Sequence, residues 1–284
     1  MSVRRPMVVL VTGCSSGIGR ALARELARRG HRVFATARRI EAIAELAPAG
    51  IAALTLDVTD AEAVRAAVAT VVEQTGRIDL VVSNAGHGLM GPAAELDPAA
   101  VREQFDVNVV ATVALAREAV PHMVRQGGGR IVTVGSVSGI MTTPFAGAYC
   151  ASKAALHALT DALRMELAPF GIEVISLQPG GVVSRFGATA SGRLADNRPV
   201  SSLYAPISGF VERRADEGQR GAMDTEVFAR RVVDLITRPR PPRRIRLGIH
   251  SRRLPLLAWL LPGKTLDRIL SKRYGLDRLR PARG

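Results

Sequence analysis

From Met7 onward the chain alternates between short apolar runs and longer segments of helical period, a rhythm that few folds accept. Parallel strands joined by crossover helices accept it. Candidate strands are Met7 to Val11, Arg32 to Thr36, Ile51 to Leu56, Asp79 to Val82, Arg130 to Val134, Ile172 to Leu177 and Ile245 to Ile249. Several are continuously apolar, as strands covered by helices on both faces should be. Helical period runs over Ile18 to Arg29, Ala61 to Gln74, Pro98 to Gln126, Ala148 to Pro169 and Asp224 to Thr237. No linker rich in Pro, Gly or Ser divides the chain before about residue 238, and no internal repeat is present. The expectation is a single doubly wound α/β domain over residues 5–250, with a seven-stranded parallel sheet, followed by an extension over 251–284.

Two regions depart from the rhythm. Residues 184–223 are rich in Gly, Ser and Ala without a strong period, which predicts a substrate lid or binding loop. Beyond Ser251 the chain becomes basic and Leu-rich. Of the formal net charge of +14, residues 238–284 hold fourteen Lys and Arg against Asp267 and Asp277, so the body is nearly neutral. That distribution points to an acidic partner surface at one end only. The run Leu254 to Leu261 is too short to span a bilayer and contains Pro255. With Arg252, Arg253 and Lys264 on its flanks and the only Trp of the chain inside it, the run suits an anionic membrane interface. A cover over the pocket and a subunit contact are the other readings of this run. Nucleic acid is not expected, because only Trp259 and Tyr274 are available there for stacking on bases.

Composition excludes other classes. At 47% hydrophobic and 23% charged residues the chain is neither disordered nor a disulfide scaffold. Cys14 and Cys150 lie far apart without metal-ligand spacing, and the five His residues form no cluster, so no metal site is expected. The apolar stretch Met7 to Val11 is too short for a signal peptide, and a reducing cytoplasm, with association to membrane through the extension, is the expected location.

The first strand runs into Thr12-Gly13-Cys14-Ser15-Ser16-Gly17-Ile18-Gly19 and then a helical segment. Glycines let backbone approach a pyrophosphate, and free N–H groups at a helix start favour its charge. The spacing is G-x-x-x-G-x-G, so the generic G-x-G-x-x-G fingerprint is not met. The second strand ends Ala37-Arg38-Arg39 with no acid before Glu41. A carboxylate there would accept the ribose 2′-OH of NAD, whereas Arg38 can pair with a 2′-phosphate, so NADP(H) is expected over NAD(H).

Tyr149 and Lys153 stand at i and i+4, on one helix face. The chain has three Lys against 36 Arg, and Lys153 is the only Lys before residue 264, which gives that choice of a compact charge added weight. Lowering a phenol from about 10 toward 7 takes roughly 4 kcal/mol, which a fixed ammonium can supply. With Asn84-Ala85-Gly86, Ser136, and Pro179-Gly180 in the same order, the chain resembles the short-chain dehydrogenase/reductases over residues 5 to 250. Its finer likeness is to the hydroxysteroid dehydrogenases and acyl-dihydroxyacetone-phosphate reductases.

The resemblance implies a Rossmann fold and hydride transfer between NADP(H) and a lipophilic carbonyl or alcohol. It implies Tyr149 as general acid or base, with Lys153 lowering its pKa and holding the nicotinamide ribose. Ser136 would stabilise the substrate oxygen, and Asn108 would position a water in a proton relay. On the cofactor side it implies the turn Gly13, Ser15, Ser16, Gly17, Ile18 and Gly19, and Asp57 with Val58 at the adenine. Asn84, Ala85 and Gly86 would sit near the adenine ribose, and Pro179, Gly180, Val182 and Ser184 at the nicotinamide. The expected partners are a lipophilic small molecule and a second copy of the chain in a homo-oligomer. A non-catalytic NADP-binding sensor or scaffold on the same fold is the alternative, and it would be expected to lack Tyr149, Lys153 or Ser136, all of which are present.

Overall fold

Strand β1 (Val8–Val11) shows why an unbroken apolar run is needed at the centre of a doubly wound sheet. Successive side chains point to opposite faces. Val9 and Val11 join one core layer with Leu22, Leu26, Phe228 and Val232, while Val8 and Leu10 join the other with Phe34, Val68, Leu115 and Ile131. Truncating such a residue, Leu22→Ala for example, costs about 2–5 kcal/mol. In this computed structural model, residues 5–196, 201–219 and 221–280 are described, so positions 197–200, 220 and 281–284 of the two departing segments lie outside them.

The other strands are β2 (Arg32–Ala37), β3 (Ala52–Thr55), β4 (Leu80–Ser83), β5 (Gly129–Val134), β6 (Ile172–Leu177) and β7 (Arg244–Ile245). They form one sheet, entirely parallel, in the order β3-β2-β1-β4-β5-β6-β7. The order reverses between β1 and β4, and the crevice above that point is where α/β sheets bind ligands. Of the expected last strand Ile245 to Ile249 only Ile245 pairs with β6, together with Arg244 just before it. The chain then crosses the Pro179-Gly180 turn so closely that a side chain on Gly180 would overlap the Ile249 carbonyl.

Helices α1 (Gly17–Arg28) and α2 (Ala61–Thr75) follow β1 and β3. Asp60 caps α2 by accepting from the N–H groups of Glu62 and Ala63, and Gly76 ends it in the left-handed conformation. The long helical period after β4 is divided: α3 (Pro98–Phe105) passes through a π turn at Asp106–Val110 into α4 (Ala111–Arg125). Next come α5 (Gly147–Leu167), α6 (Phe186–Asp196), α7 (Ser208–Asp216) and α8 (Thr225–Ile236). Buried Glu25 of α1 holds Arg28 and Arg29, and Arg29 reaches Asp234 of α8, joining these two helices. Arg28 and Arg29 hold the Glu25 carboxyl down at about 2 against the cost of burial.

The segment 184–223 corrects the sequence reading, because most of it is helical rather than loop. Its period was hidden by small residues, yet Ala190 with Leu194 and Ile207 with Val211 are buried pairs at i and i+4. The extension forms α9 (Arg253–Leu260) and α10 (Gly263–Arg273). Tyr274 anchors it, packing with Phe145, Leu194, Ile207 and Val211. Among the described residues no helix is long and apolar enough to cross a membrane.

Candidate active site

The glycine turn is held from below. Asn84 Nδ2 donates to the Thr12 carbonyl at 2.8 Å and the Gly13 carbonyl at 3.2 Å, and the N–H groups of Asn84 and Ala85 both donate to Thr12 Oγ1 at 3.0 Å. Gly13 has φ +70°, and a Cβ on it would lie 2.8 Å from Ala85 Cα. A Cβ on Gly19 would overlap the Asn84 amide, so both glycines are required by close approach. Arg20 braces the turn from outside, donating to the carbonyls of Cys14, Ser15 and Ala42. Asn84 therefore positions the turn as well as lining the crevice.

The start of α1 fits a phosphate group. Its N-cap Ser16 makes no side-chain cap bond and the first turn carries no acid, so the N–H groups there keep their capacity to meet an anion. Nearby, Asp57 follows β3 and accepts from the Thr59 N–H at 3.0 Å and its hydroxyl at 2.7 Å. These bonds, helped by the Arg38 charge, hold the Asp57 carboxyl below its ordinary value. No carboxylate stands at the end of β2, where exposed Arg38 faces the same crevice.

That crevice is a cavity of about 960 Å³. Of the residues expected from the sequence to serve the site, all but Gly17, Gly19 and Asn108 line it. Tyr149 and Lys153 lie in the first two turns of α5, both buried. Ser136, at the end of β5, bonds the Tyr149 phenol and also accepts from the Ser138 N–H at 3.1 Å. His157 Nε2 accepts from the Ser136 N–H at 3.4 Å, and burial pushes that imidazole down to about 4, so it stays a neutral acceptor. His157 thus supports Ser136, a task that the sequence did not single out.

Burial pushes Tyr149 up to about 12, against the lowering pull of its Ser136 bond. Lys153 lies beside it, its Nζ 6.0 Å from the centre of the Tyr149 ring. Its Nζ donates to the Val134 carbonyl at 2.8 Å, and burial lowers its pKa to about 8. The charge of Arg214, on α7, also pulls the phenol down. Its Nε and Nη2 donate to Thr143 Oγ1 at 3.1 and 2.9 Å, on the wall of the cavity. In the sequence Arg214 is one member of a frequent Arg-Arg pair and carries no signal.

Asn108 sits in the π turn, almost fully buried. Its Oδ1 accepts from the His87 N–H, and its Nδ2 donates to the His87 carbonyl and Ser152 Oγ, each at 3.0 Å. The side chain ties the loop after β4 to α5. Cys14 is fully buried with its thiol pushed up to about 12, and burial also raises Cys150, so both are unreactive packing residues. No group of three metal-ligating side chains occurs among the described residues.

The other arm of the cavity is apolar. The Phe186 ring lies 5.1 Å from the Tyr149 ring, and Met90, Met141, Leu254, Leu257 and Leu261 continue the wall. The extension is locked to this arm: Tyr274 donates to Glu217 Oε2 at 2.6 Å and Arg273 Nε to Glu217 Oε1 at 3.0 Å.

A family model described as short chain dehydrogenase matches residues 7–193. The chain belongs to the short-chain dehydrogenase/reductase family, oxidoreductases that act on CH–OH groups with a nicotinamide cofactor. It is 37% identical over 265 residues to human 17-beta-hydroxysteroid dehydrogenase type 1, covering 88% of this chain and 79% of the relative. It is 31% identical over 286 residues to the NADPH-dependent 1-acyldihydroxyacetone phosphate reductase of Saccharomyces cerevisiae, covering 97% and 93%. A short-chain dehydrogenase structure from Streptomyces avermitilis superposes with a TM-score of 0.78 at 29% identity, over 97% of this chain and 98% of that one.

Proposed function

We propose that the chain is an NADP(H)-dependent oxidoreductase interconverting a lipophilic ketone or aldehyde, of steroid, retinoid or acyl-lipid type, with its alcohol. The observation that carries this reading is the place of Tyr149. Its buried phenol, bonded to Ser136, stands between the glycine-turn arm and the apolar arm of one cavity. When bound, the cofactor supplies or accepts the hydride.

The residues divide the remaining work. The N–H groups at the start of α1 would hold the pyrophosphate, Asp57 and Val58 the adenine side, and Pro179 to Ser184 the nicotinamide. Arg38 would pair with a 2′-phosphate, which supports NADP(H), as does the NADPH dependence of the yeast relative. Lys153 would bond the nicotinamide ribose while its Val134 bond fixes its direction. Burial keeps Tyr149 protonated near neutral pH, the state from which it can donate to a carbonyl oxygen as that oxygen gains charge. Ser136 gives that oxygen a second hydrogen bond, and the apolar wall keeps competing water away. Phe186, the methionines and the leucines of α9 support a lipophilic substrate, in keeping with the names of the steroid and acyl-lipid relatives.

Tyr149→Phe tests the assignment, because the ring stays and the transferable proton goes. Turnover of ketosteroids, retinaldehyde or acyl-dihydroxyacetone phosphate, followed by NADPH absorbance, should fall by about 10³-fold with NADPH affinity preserved. Undiminished turnover would remove Tyr149 from the chemistry. Reduction of none of these carbonyls by the native chain would overturn the substrate class.

A further inference from the structure

Helices α9 and α10 present two faces of unlike chemistry. Leu254, Leu257 and Leu261 face the cavity next to the apolar arm. On the outside, Trp259 is 80% exposed, Leu256 53% and Leu260 57%. Leu257 belongs to both, lining the cavity while 43% exposed, so the outer apolar face runs continuously into the mouth of the pocket. Arg252, Arg253, Lys264, Arg268 and Lys272, all exposed, stand on or next to the same two helices, with Asp267 as the acid among them.

We propose that the outer face of α9 and the start of α10 docks on an anionic bilayer surface and sets the mouth of the cavity against the lipid. A bilayer interface meets both halves of this chemistry: acyl chains receive the leucines, the head-group layer suits an indole, and anionic head groups attract the basic residues. Basic side chains near such a surface add their attractions, so the basic residues and the apolar patch together favour reversible attachment. A second copy of the chain is a poorer occupant, because two-fold packing through this face sets one basic segment against another. Residues 252–272, which carry the apolar patch, hold five Lys and Arg against Asp267 alone, whereas the body of the chain is nearly neutral. Delivery of substrate from the lipid rests on the lipophilic substrate proposed above. The docking does not.

Trp259 is the only tryptophan of the chain, so its emission reports on this face alone. With vesicles of equal parts phosphatidylglycerol and phosphatidylcholine, at about 50 mM salt to limit screening, the emission of the full chain should shift to the blue and the protein should co-sediment. Pure phosphatidylcholine should bind at least about tenfold more weakly, and added salt should release the protein. The double variant Leu256→Glu with Leu260→Glu keeps Trp259, changes only exposed positions outside the cavity wall, and should lose vesicle binding by at least about tenfold while NADPH affinity is retained. An unshifted emission without co-sedimentation overturns the proposal, as does a double variant that binds like the native chain. A blue shift that grows with protein concentration in the absence of lipid, with none added by vesicles, assigns the face to a second copy and overturns it as well. None of these readings uses turnover. Vesicle binding without reduction of any lipophilic carbonyl would sink the substrate class alone.

Discussion

The two arms of the cavity are built by different means. The dinucleotide arm is made mostly of main chain, with a glycine turn, the free N–H groups of α1 and close strand ends within the first 90 residues. The substrate arm is made of side chains from Met90, Phe186, Arg214 and α9, brought together across more than 150 residues of sequence. A backbone site depends on where side chains must be absent, so it tolerates almost no change at a few positions. A side-chain site can be rebuilt piece by piece, which lets one scaffold accept different carbonyl compounds.

That contrast ranks the following substitutions. Gly19→Val should have the largest effect, since its Cβ would overlap the Asn84 amide that supports the whole turn. Insertion of volume at such a point costs about 3 kcal/mol, and calorimetry with NADPH should find both a lower Tm and no measurable binding. Arg38→Ser should weaken NADPH by about 30-fold and leave NADH unchanged, the loss of charge-assisted bonds worth about 2 kcal/mol. An equal loss for both cofactors would place Arg38 outside the 2′-phosphate contact.

Lys153→Met should raise stability while abolishing activity. A lysine whose pKa falls from 10.5 unfolded to about 8 folded opposes folding fully below pH 8, and the penalty fades as pH rises toward 10.5. After the lost Val134 bond is deducted, the gain is about 2 kcal/mol at pH 7, and the Tm advantage should shrink steadily between pH 8 and 10.5. An advantage independent of pH would mean that the amine is not buried as a charge. The smallest effect belongs to Tyr274→Phe, which removes one bond to Glu217 and costs about 1 kcal/mol. It should raise the KM for a lipophilic carbonyl and leave NADPH affinity untouched, so a change in NADPH affinity would erase the distinction between the arms.

The dinucleotide arm and the sheet were legible in the sequence because their constraints are local. Continuous apolar runs mark strands buried on both faces, and glycines mark backbone contact, as at Gly13 and Gly19. The pair Tyr149 and Lys153 was legible through helical spacing, but the depth at which both are buried was not, because it follows from distant packing. The helical nature of 184–223 was hidden by small residues, whose weak hydrophobic contrast blurs the 3.6-residue period. Arg214 and His157 could not be singled out, since nothing near them in sequence distinguishes an arginine on a pocket wall, or a neutral buried imidazole, from their many surface counterparts.

The seam between the arms has a mechanical meaning. Arg185, at the entrance to α6, donates to the Ser15 carbonyl at 2.8 Å, and Ser184 packs so near Gly17 that a methyl group there would lie 3.0 Å from its Cβ. The substrate-side helices are thereby stitched to the loop that grips the dinucleotide. A displacement of α6 is therefore felt at the glycine turn through one hydrogen bond and one van der Waals contact, so the two arms cannot shift independently.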